Sequence, residues 1–98
     1  MNGLERVRKA LTRHQHELRT SFGLSGVGVF GSYARKRQGK ASDLDLLVDF
    51  QRAPGLMGFL ALEERLSRIL GVKVDLVMKS ALKPGIAERV LKEVVYVW

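Results

Sequence analysis

The stretch from residue 43 to residue 78 constrains the fold most, because it predicts a strand, a helix and another strand in succession. Apolar and polar residues alternate along 43–50, which is typical of a β-strand with one buried face. Residues 56–70 have the apolar spacing of an amphipathic helix, and 72–78 is again strand-like. A helix between two strands favours a parallel crossover. We therefore expect 43–50 and 72–78 to run parallel in one sheet.

The remaining segments complete a fold of the α/β (α+β) class, a small mixed β-sheet flanked by helices that cover one main face. With 98 residues, of which 46% are hydrophobic, the chain fits one domain over 1–98 and leaves no room for a second core. The other predicted elements are a helix over 4–22 ended by Gly23 and Gly26, a strand over Val27–Phe30, one or two helical turns over 33–38, a loop over Gly39–Ser42, a helix over about 84–92 opened by Pro84, and an extended or strand segment over Val94–Trp98.

Charge and cysteine content narrow the classes of function. The chain carries a net charge of +7 and has no cysteine, which excludes disulfides and thiolate metal sites. A basic surface favours nucleotides, nucleic acids and acidic proteins as partners. No apolar run approaches the roughly 18 residues of a membrane span, so we expect a cytoplasmic protein that does not enter a membrane. The apolar C-terminal tail on so small a sheet is compatible with a homo-oligomer.

Two aspartates on the strand 43–50 indicate a cation site. Asp43 and Asp45 are two residues apart, so both carboxylates project from one face, about 6.5 Å apart along the strand. Like charges held together repel unless a cation lies between them, and hard oxygen ligands suit magnesium. Asp49 shares the face but lies about 13 Å beyond Asp45, too far for the same ion.

Asp75 is the candidate for a third carboxylate. In the strand 72–78 it points away from the apolar face, and a charged residue in an apolar strand needs a reason. If the two strands are neighbours, Asp75 joins Asp43 and Asp45. Two metal ions held there could stabilise both the attacking and the leaving oxygen of an in-line displacement at phosphorus.

Gly31 and Ser32 follow a strand and precede a helical turn. A glycine at that place allows a phosphate to approach the backbone, and the serine offers a hydroxyl near free N–H groups. A Gly-Ser pair alone is most often a simple turn. Its value comes from the paired aspartates that follow at a fixed distance.

The segment GSYARKRQGKASDLDLLVDF resembles the signature of the polymerase-beta-like nucleotidyltransferase superfamily: Gly-Ser, a gap of ten residues, then Asp-x-Asp. The short length, the SYAR continuation, the later VKVDLV and the C-terminal ALKPGIAERVLKEVVYVW resemble the minimal nucleotidyltransferase (MNT) family. The resemblance extends over residues 4–98 and implies the polymerase-beta-like nucleotidyltransferase fold.

The resemblance also implies a function, a set of ligands and a partner. Proteins of this family are commonly antitoxins of HEPN-domain ribonuclease toxins, and some transfer AMP from ATP to a tyrosine of the toxin. Carried over, Gly31 and Ser32 would contact the triphosphate, while Asp43 and Asp45 would hold two Mg²⁺ ions. Asp75 would complete the second metal site and help to deprotonate the nucleophile. Lys36 departs from the family pattern, where glycine often follows the arginine.

Two other functions compete with this enzymatic hypothesis. The chain could be an antitoxin that neutralises its partner by binding alone, although a disused site would have no reason to keep clustered charges. It could also be a basic nucleic-acid-binding protein, but it lacks a recognisable reading motif, which makes nucleic acid an unfavoured partner.

Several single residues have both a functional and a structural interpretation. The basic cluster of Arg35, Lys36, Arg37 and Lys40 could attract phosphates or be a solvated loop, and Arg35 could instead pair with an acidic neighbour and hold the turn. For the others the structural interpretation is as good or better. We expect His14 to lie at the edge of the core rather than to form a metal pair with His16, and Tyr33 to pack on the first helix rather than on a base. Packing on the core explains Tyr96 and Trp98 as well as a partner surface does.

Overall fold

The computed structural model describes residues 3–39 and 42–98. Helices and strands follow one another along the chain in the order that the sequence predicts. The elements are α1 (Gly3–Arg13), α2 (Gln15–Phe22), β1 (Leu24–Phe30), α3 (Gly31–Ala34), β2 (Leu44–Phe50), α4 (Leu56–Leu70), β3 (Val74–Met78), a 3-10 turn (Lys79–Ala81), α5 (Pro84–Glu93) and β4 (Val95–Tyr96).

The four strands form one mixed sheet in the order β3-β2-β1-β4. Strand β1 is antiparallel to both β2 and β4, whereas β2 and β3 are parallel. The parallel pair is joined through α4, so the predicted crossover is confirmed. Helix α4 has the predicted bounds, and Gly71 ends it in the left-handed conformation with φ of 69°.

One face of the sheet packs against α1, α2 and α4 to form the main core. Alternate residues of β1, β2 and β3 point into it, because side chains on a strand alternate between faces. The helical contributions follow the apolar stripes read from the sequence. The buried residues of this core are Leu4, Val7, Leu11, Leu18, Leu24, Val27, Val29, Tyr33, Leu44, Leu46, Val48, Leu62, Leu66, Leu70, Val74 and Leu76.

The second face is partly covered by α5, which the expectation of one covered face did not include. Leu47 points away from the main core, yet only 1% of it is exposed. Val90 of α5 is also buried outside the main core, and with Phe30 and Val77 it lines one apolar cavity. Helix α5 therefore lies on the face to which Asp45 belongs.

The structure differs from the sequence prediction at several element ends. The expected helix 4–22 is interrupted at His14, where φ of −99° and ψ of 12° leave the helical range. Gly26, expected beyond the helix end, lies inside β1 at a register shift, a place where strands accept glycine. Strand β3 begins at Val74, two residues later than predicted, although the carbonyl of Lys73 already accepts a hydrogen bond from the N–H of Leu44 at 2.9 Å.

Among the described residues, no helix is both long and apolar enough to cross a membrane.

Candidate active site

The site lies where Phe30 of β1, Asp45 of β2 and Asp75 of β3 are side by side in the sheet. Asp45 is the direct partner of Asp75 in the parallel pairing and of Phe30 in the antiparallel pairing. Partners in register present their side chains on the same face of a sheet. Asp43 lies two residues before Asp45, just ahead of β2, on the same side. The structure therefore brings together the three aspartates that the sequence singled out.

The electrostatics of Asp45 reflect this clustering. Partial burial is the largest effect and raises the pKa of the Asp45 carboxyl above its ordinary value, and the nearby charges of Asp75 and Asp43 raise it further. Arg35 opposes this rise and Glu93 adds to it. The folded protein thus holds negative charges together at a cost that a bound cation would remove.

Gly31 is packed directly against this carboxylate. Its backbone has φ of 71°, in the left-handed region that favours glycine. A Cβ atom at Gly31 would collide with Oδ2 of Asp45. Glycine is therefore required at the end of β1 both by its own conformation and by the aspartate of the neighbouring strand.

The backbone of Gly31 is also held from α5. Its N–H donates a hydrogen bond of 3.1 Å to Oε1 of Glu93, the last residue of that helix. Nη1 of Arg35 donates to Oε2 of Glu93 at 3.0 Å and to Oε1 at 3.3 Å. The alternative interpretation of Arg35, a pairing with an acidic neighbour that holds the turn, is therefore confirmed.

The carboxylate oxygens of Asp43, Asp45 and Asp75 are of the kind that magnesium prefers, although the three side chains do not by themselves form a complete metal site. Within residues 3–39 and 42–98, no three His, Cys, Asp or Glu side chains are arranged closely enough to hold a metal ion by themselves. Mg²⁺ commonly takes only one or two carboxylates and completes its shell with water and phosphate oxygens. The mutual repulsion among Asp43, Asp45 and Asp75 fits that chemistry. The role of the three aspartates as magnesium ligands stays a prediction.

Comparison with known proteins identifies the family. The profile of the nucleotidyltransferase domain matches residues 11–97, which include all five predicted site residues. The chain belongs to the nucleotidyltransferase domain family.

Curated relatives of this nucleotidyltransferase cover nearly the whole chain. The protein adenylyltransferase MntA of Thermococcus cleftensis is 55% identical over 94 residues, which are 96% of this chain and 95% of the relative. A provisionally named protein adenylyltransferase of Methanocaldococcus jannaschii is 38% identical over 98 residues, 99% of this chain and 100% of the relative.

Solved structures confirm the nucleotidyltransferase fold. A chain from a toxin–antitoxin complex with AMP-PNP has a TM-score of 0.77 at 21% identity and covers 93% of this chain and 72% of its own length. A chain from the complex of a tri-AMPylated HEPN toxin of Shewanella oneidensis with its MNT antitoxin has a TM-score of 0.66 at 19% identity, with 93% and 71% covered. A provisionally assigned minimal nucleotidyltransferase has a TM-score of 0.74 at 35% identity, with 97% and 95% covered.

Most of the single residues with two interpretations take their structural role in this nucleotidyltransferase. The expected packing of Tyr96 on the core is wrong, because Tyr96 is 50% exposed and does not belong to the main core. Tyr33 is 5% exposed and belongs to the main core, so the base-stacking alternative is wrong. Nε1 of Trp98 donates to the carbonyl of Leu11 at 3.3 Å, which ties the C-terminus to α1. His14 is half-buried, with Nδ1 3.0 Å from the carbonyl of Ala10.

The basic cluster divides between the two interpretations. Arg35 is engaged with Glu93, whereas Lys36 and Arg37 are exposed, and Lys40 lies outside the described residues. Lys36 has φ of 58°, which explains why glycine suits this position.

Sequence reasoning missed Glu93. It fell one residue beyond the predicted final helix, and its partner Gly31 is 62 residues away. The only available signal was the proposed need of Arg35 for an acidic neighbour.

Proposed function

We propose that this nucleotidyltransferase transfers AMP from ATP to a hydroxyl group, that of a tyrosine, on a partner HEPN toxin, and acts as its antitoxin. The observation that carries the proposal is the pairing of Asp45 with Asp75 beside Gly31. The 55% identity to a protein adenylyltransferase over nearly the whole chain supports AMP as the transferred group. Because ATP and such a toxin meet in the cytoplasm, we propose that compartment for the reaction.

The turn after β1 would receive the triphosphate. Since the N–H of Gly31 already donates to Glu93, we assign Gly31 a steric role: without a side chain, it allows the turn to lie against Asp45. Ser32, which is half-buried at the start of α3, would supply the hydroxyl contact to a phosphate oxygen. The positive charge of the molecule favours the approach of ATP.

The carboxylates would hold magnesium and handle the proton. Asp43 and Asp45 would bind both ions, and Asp75 would complete the second site. Bound magnesium supplies charge stabilisation for the oxygens around the reacting phosphorus. The acceptor hydroxyl oxygen forms a bond to the α-phosphorus, the bond to the bridging oxygen of pyrophosphate breaks, and Asp75 is placed in our scheme to accept the hydroxyl proton.

A labelling experiment tests this function. Wild-type protein, Mg²⁺, α-labelled ATP and the cognate HEPN toxin should give labelled toxin, and Asp45→Asn should reduce the rate by at least about a hundredfold, the scale of losing a charged group from a catalytic site. Asp49→Asn is the matched control, because Asp49 is exposed on the same strand. Unlabelled toxin with wild-type protein would contradict the proposal.

The same two proteins separate transfer from masking when the ribonuclease activity of the toxin is measured. If the antitoxin acts by binding alone, the wild-type protein and Asp45→Asn would neutralise the ribonuclease equally well. An enzymatic antitoxin would lose neutralisation with that substitution when ATP and Mg²⁺ are present.

A further inference from the structure

The carboxylate of Glu93, at the end of α5, is hydrogen-bonded to the backbone of the Gly31–Ser32 turn. Oε1 of Glu93 accepts hydrogen bonds from the Gly31 N–H at 3.1 Å and from Nη1 of Arg35 at 3.3 Å, and Oε2 accepts from the same nitrogen at 3.0 Å. The Glu93 side chain is only 25% exposed. One carboxylate therefore joins the start of α3 to the residue four positions later.

Gly31 is held between two carboxylates that come from different parts of the fold. Asp45 of β2 lies against its α-carbon, and Glu93 of α5 accepts its N–H. The first N–H groups of a helix have no partner within the helix, and glycine, which lacks a Cβ atom, is the residue least restrained by its own backbone. Glu93 meets both needs, because it satisfies this donor and orients the peptide plane.

We propose that Glu93 is a positioning residue, which fixes the Gly31–Ser32 turn against Asp45 in the geometry that receives the nucleotide. Arg35 has a supporting part: its guanidinium offsets the charge of Glu93, which adds to the repulsion at Asp45 and opposes a triphosphate. This inference rests on the proposed function, since it needs the turn to be the nucleotide contact.

A simple tether between α5 and α3 would have different consequences. A half-exposed ion pair contributes about 0–1 kcal/mol to stability, and its loss would affect unfolding alone. A positioning role predicts a change at the Gly31 amide and in nucleotide affinity. It also predicts that the hydrogen-bond acceptor matters more than the charge.

The test compares Glu93→Ala, Glu93→Gln and a control on the same helix. Glu88→Ala is the control, because Glu88 is exposed and pairs with Lys92, one turn away on the same helix, at 3.4 Å. Dissociation constants for Mg²⁺-ATP are measured by calorimetry, and exchange of the Gly31 amide hydrogen is followed by NMR without nucleotide. AMP transfer to the toxin is measured in parallel.

We expect Glu93→Ala to weaken Mg²⁺-ATP binding about tenfold or more, the scale of losing a hydrogen bond to a charged group. Exchange of the Gly31 amide should accelerate. Glu93→Gln should recover most of both properties, because its amide oxygen can still accept from Gly31, and Glu88→Ala should match the wild type. If Glu93→Ala does not fold, Glu93→Asp takes its place, because the shorter side chain cannot present its oxygen to the Gly31 N–H in the same position. Wild-type affinity and a wild-type exchange rate of the Gly31 amide in Glu93→Asp would then overturn the role.

The outcomes separate this inference from the proposed function. Wild-type affinity for Mg²⁺-ATP in Glu93→Ala, or equal loss in Glu93→Ala and Glu93→Gln, overturns the positioning role while the wild type still transfers AMP. Absence of Mg²⁺-ATP binding by the wild type overturns both.

Discussion

The residue Gly31 lies between two carboxylates, that of Asp45 on β2 and that of Glu93 on α5. We predict that Gly31→Ala destabilises the fold by about 2–4 kcal/mol, because it combines left-handed strain with a collision. Gly71→Ala isolates the strain, since Gly71 has φ of 69° and nothing within 4 Å of an added Cβ; we expect about 1 kcal/mol there. Chemical denaturation measures both, and equal losses would show that Asp45 can move aside.

The ionised carboxylate of Asp45 destabilises the folded protein, although the proposed reaction needs it. Burial and the neighbouring aspartates raise the pKa of its carboxyl, so the folded protein binds this proton more tightly than the unfolded chain does. This stabilising contribution grows as the pH falls through the raised pKa and is absent at neutral pH, where the charge destabilises the fold. Asp45→Asn should therefore raise the melting temperature of the metal-free protein at neutral pH, while it reduces AMP transfer at least about a hundredfold. Calorimetry in a chelator checks this, and a lower melting temperature would argue against the repulsion.

Lys36 adopts a left-handed backbone conformation that glycine would adopt without strain. With φ of 58°, its left-handed backbone disfavours a residue that has a Cβ atom. We predict that Lys36→Gly raises the free energy of unfolding by up to about 1 kcal/mol, measured by urea denaturation. A loss of stability would mean that the exposed lysine side chain makes a contribution larger than the backbone strain.

At the scale of elements, an ion pair between Glu17 of α2 and Arg65 of α4 joins the two helices, and the sequence pattern does not predict it. Nε of Arg65 donates to Glu17 at 2.7 Å and Nη2 at 2.8 Å, a two-bond geometry. The hydrogen bond from Arg65 is the main reason why the pKa of Glu17 is lowered. This pair links two helices that flank the same sheet face.

We predict that Glu17→Gln lowers the melting temperature slightly at neutral pH and has no effect in strong acid. A lowered carboxyl pKa stabilises the fold above the ordinary pKa, and this contribution is lost as the pH falls through the lowered value. Thermal melts across the acid range test this. Glu64→Gln is the control, because Glu64 pairs with Arg68 within α4 and is highly exposed; equal pH profiles for the two variants would contradict the prediction.

At the scale of the whole molecule, the two ends of the chain stabilise each other. The carbonyl of Trp98 accepts from Val27 of β1 at 2.7 Å, and its indole donates to Leu11 of α1. The guanidinium of Arg19 lies 5.1 Å from the indole centroid. The last residue thus contacts β1, α1 and α2.

We predict that Trp98→Ala destabilises the protein by about 2–3 kcal/mol, less than a fully buried tryptophan because the side chain is half-exposed. Trp98→Phe should recover the packing but lose the bond to Leu11. Unfolding should remain cooperative in both variants, as followed by circular dichroism. A separate early transition would show that the C-terminal strand is not part of the cooperative unit.

Sequence alone determined the elements whose signals are local. Helix α4 was predicted at its observed bounds because its apolar spacing and Gly71 lie within the same short segment. The shared face of Asp43 and Asp45 follows from strand periodicity, and the Gly-Ser turn from its place after a strand. The interruption at His14 escaped prediction because the apolar stripe continues through it.

Tertiary structure decided everything that depends on which distant segments meet. The register that sets Asp75 opposite Asp45 arises when two strands pair across an intervening helix, and a shift of one residue would turn Asp75 to the other face. The same holds for Glu93, which reaches Gly31 only because α5 crosses the second face of the sheet. Periodicity specifies the faces of each element, but the alignment between elements results from packing of the whole chain.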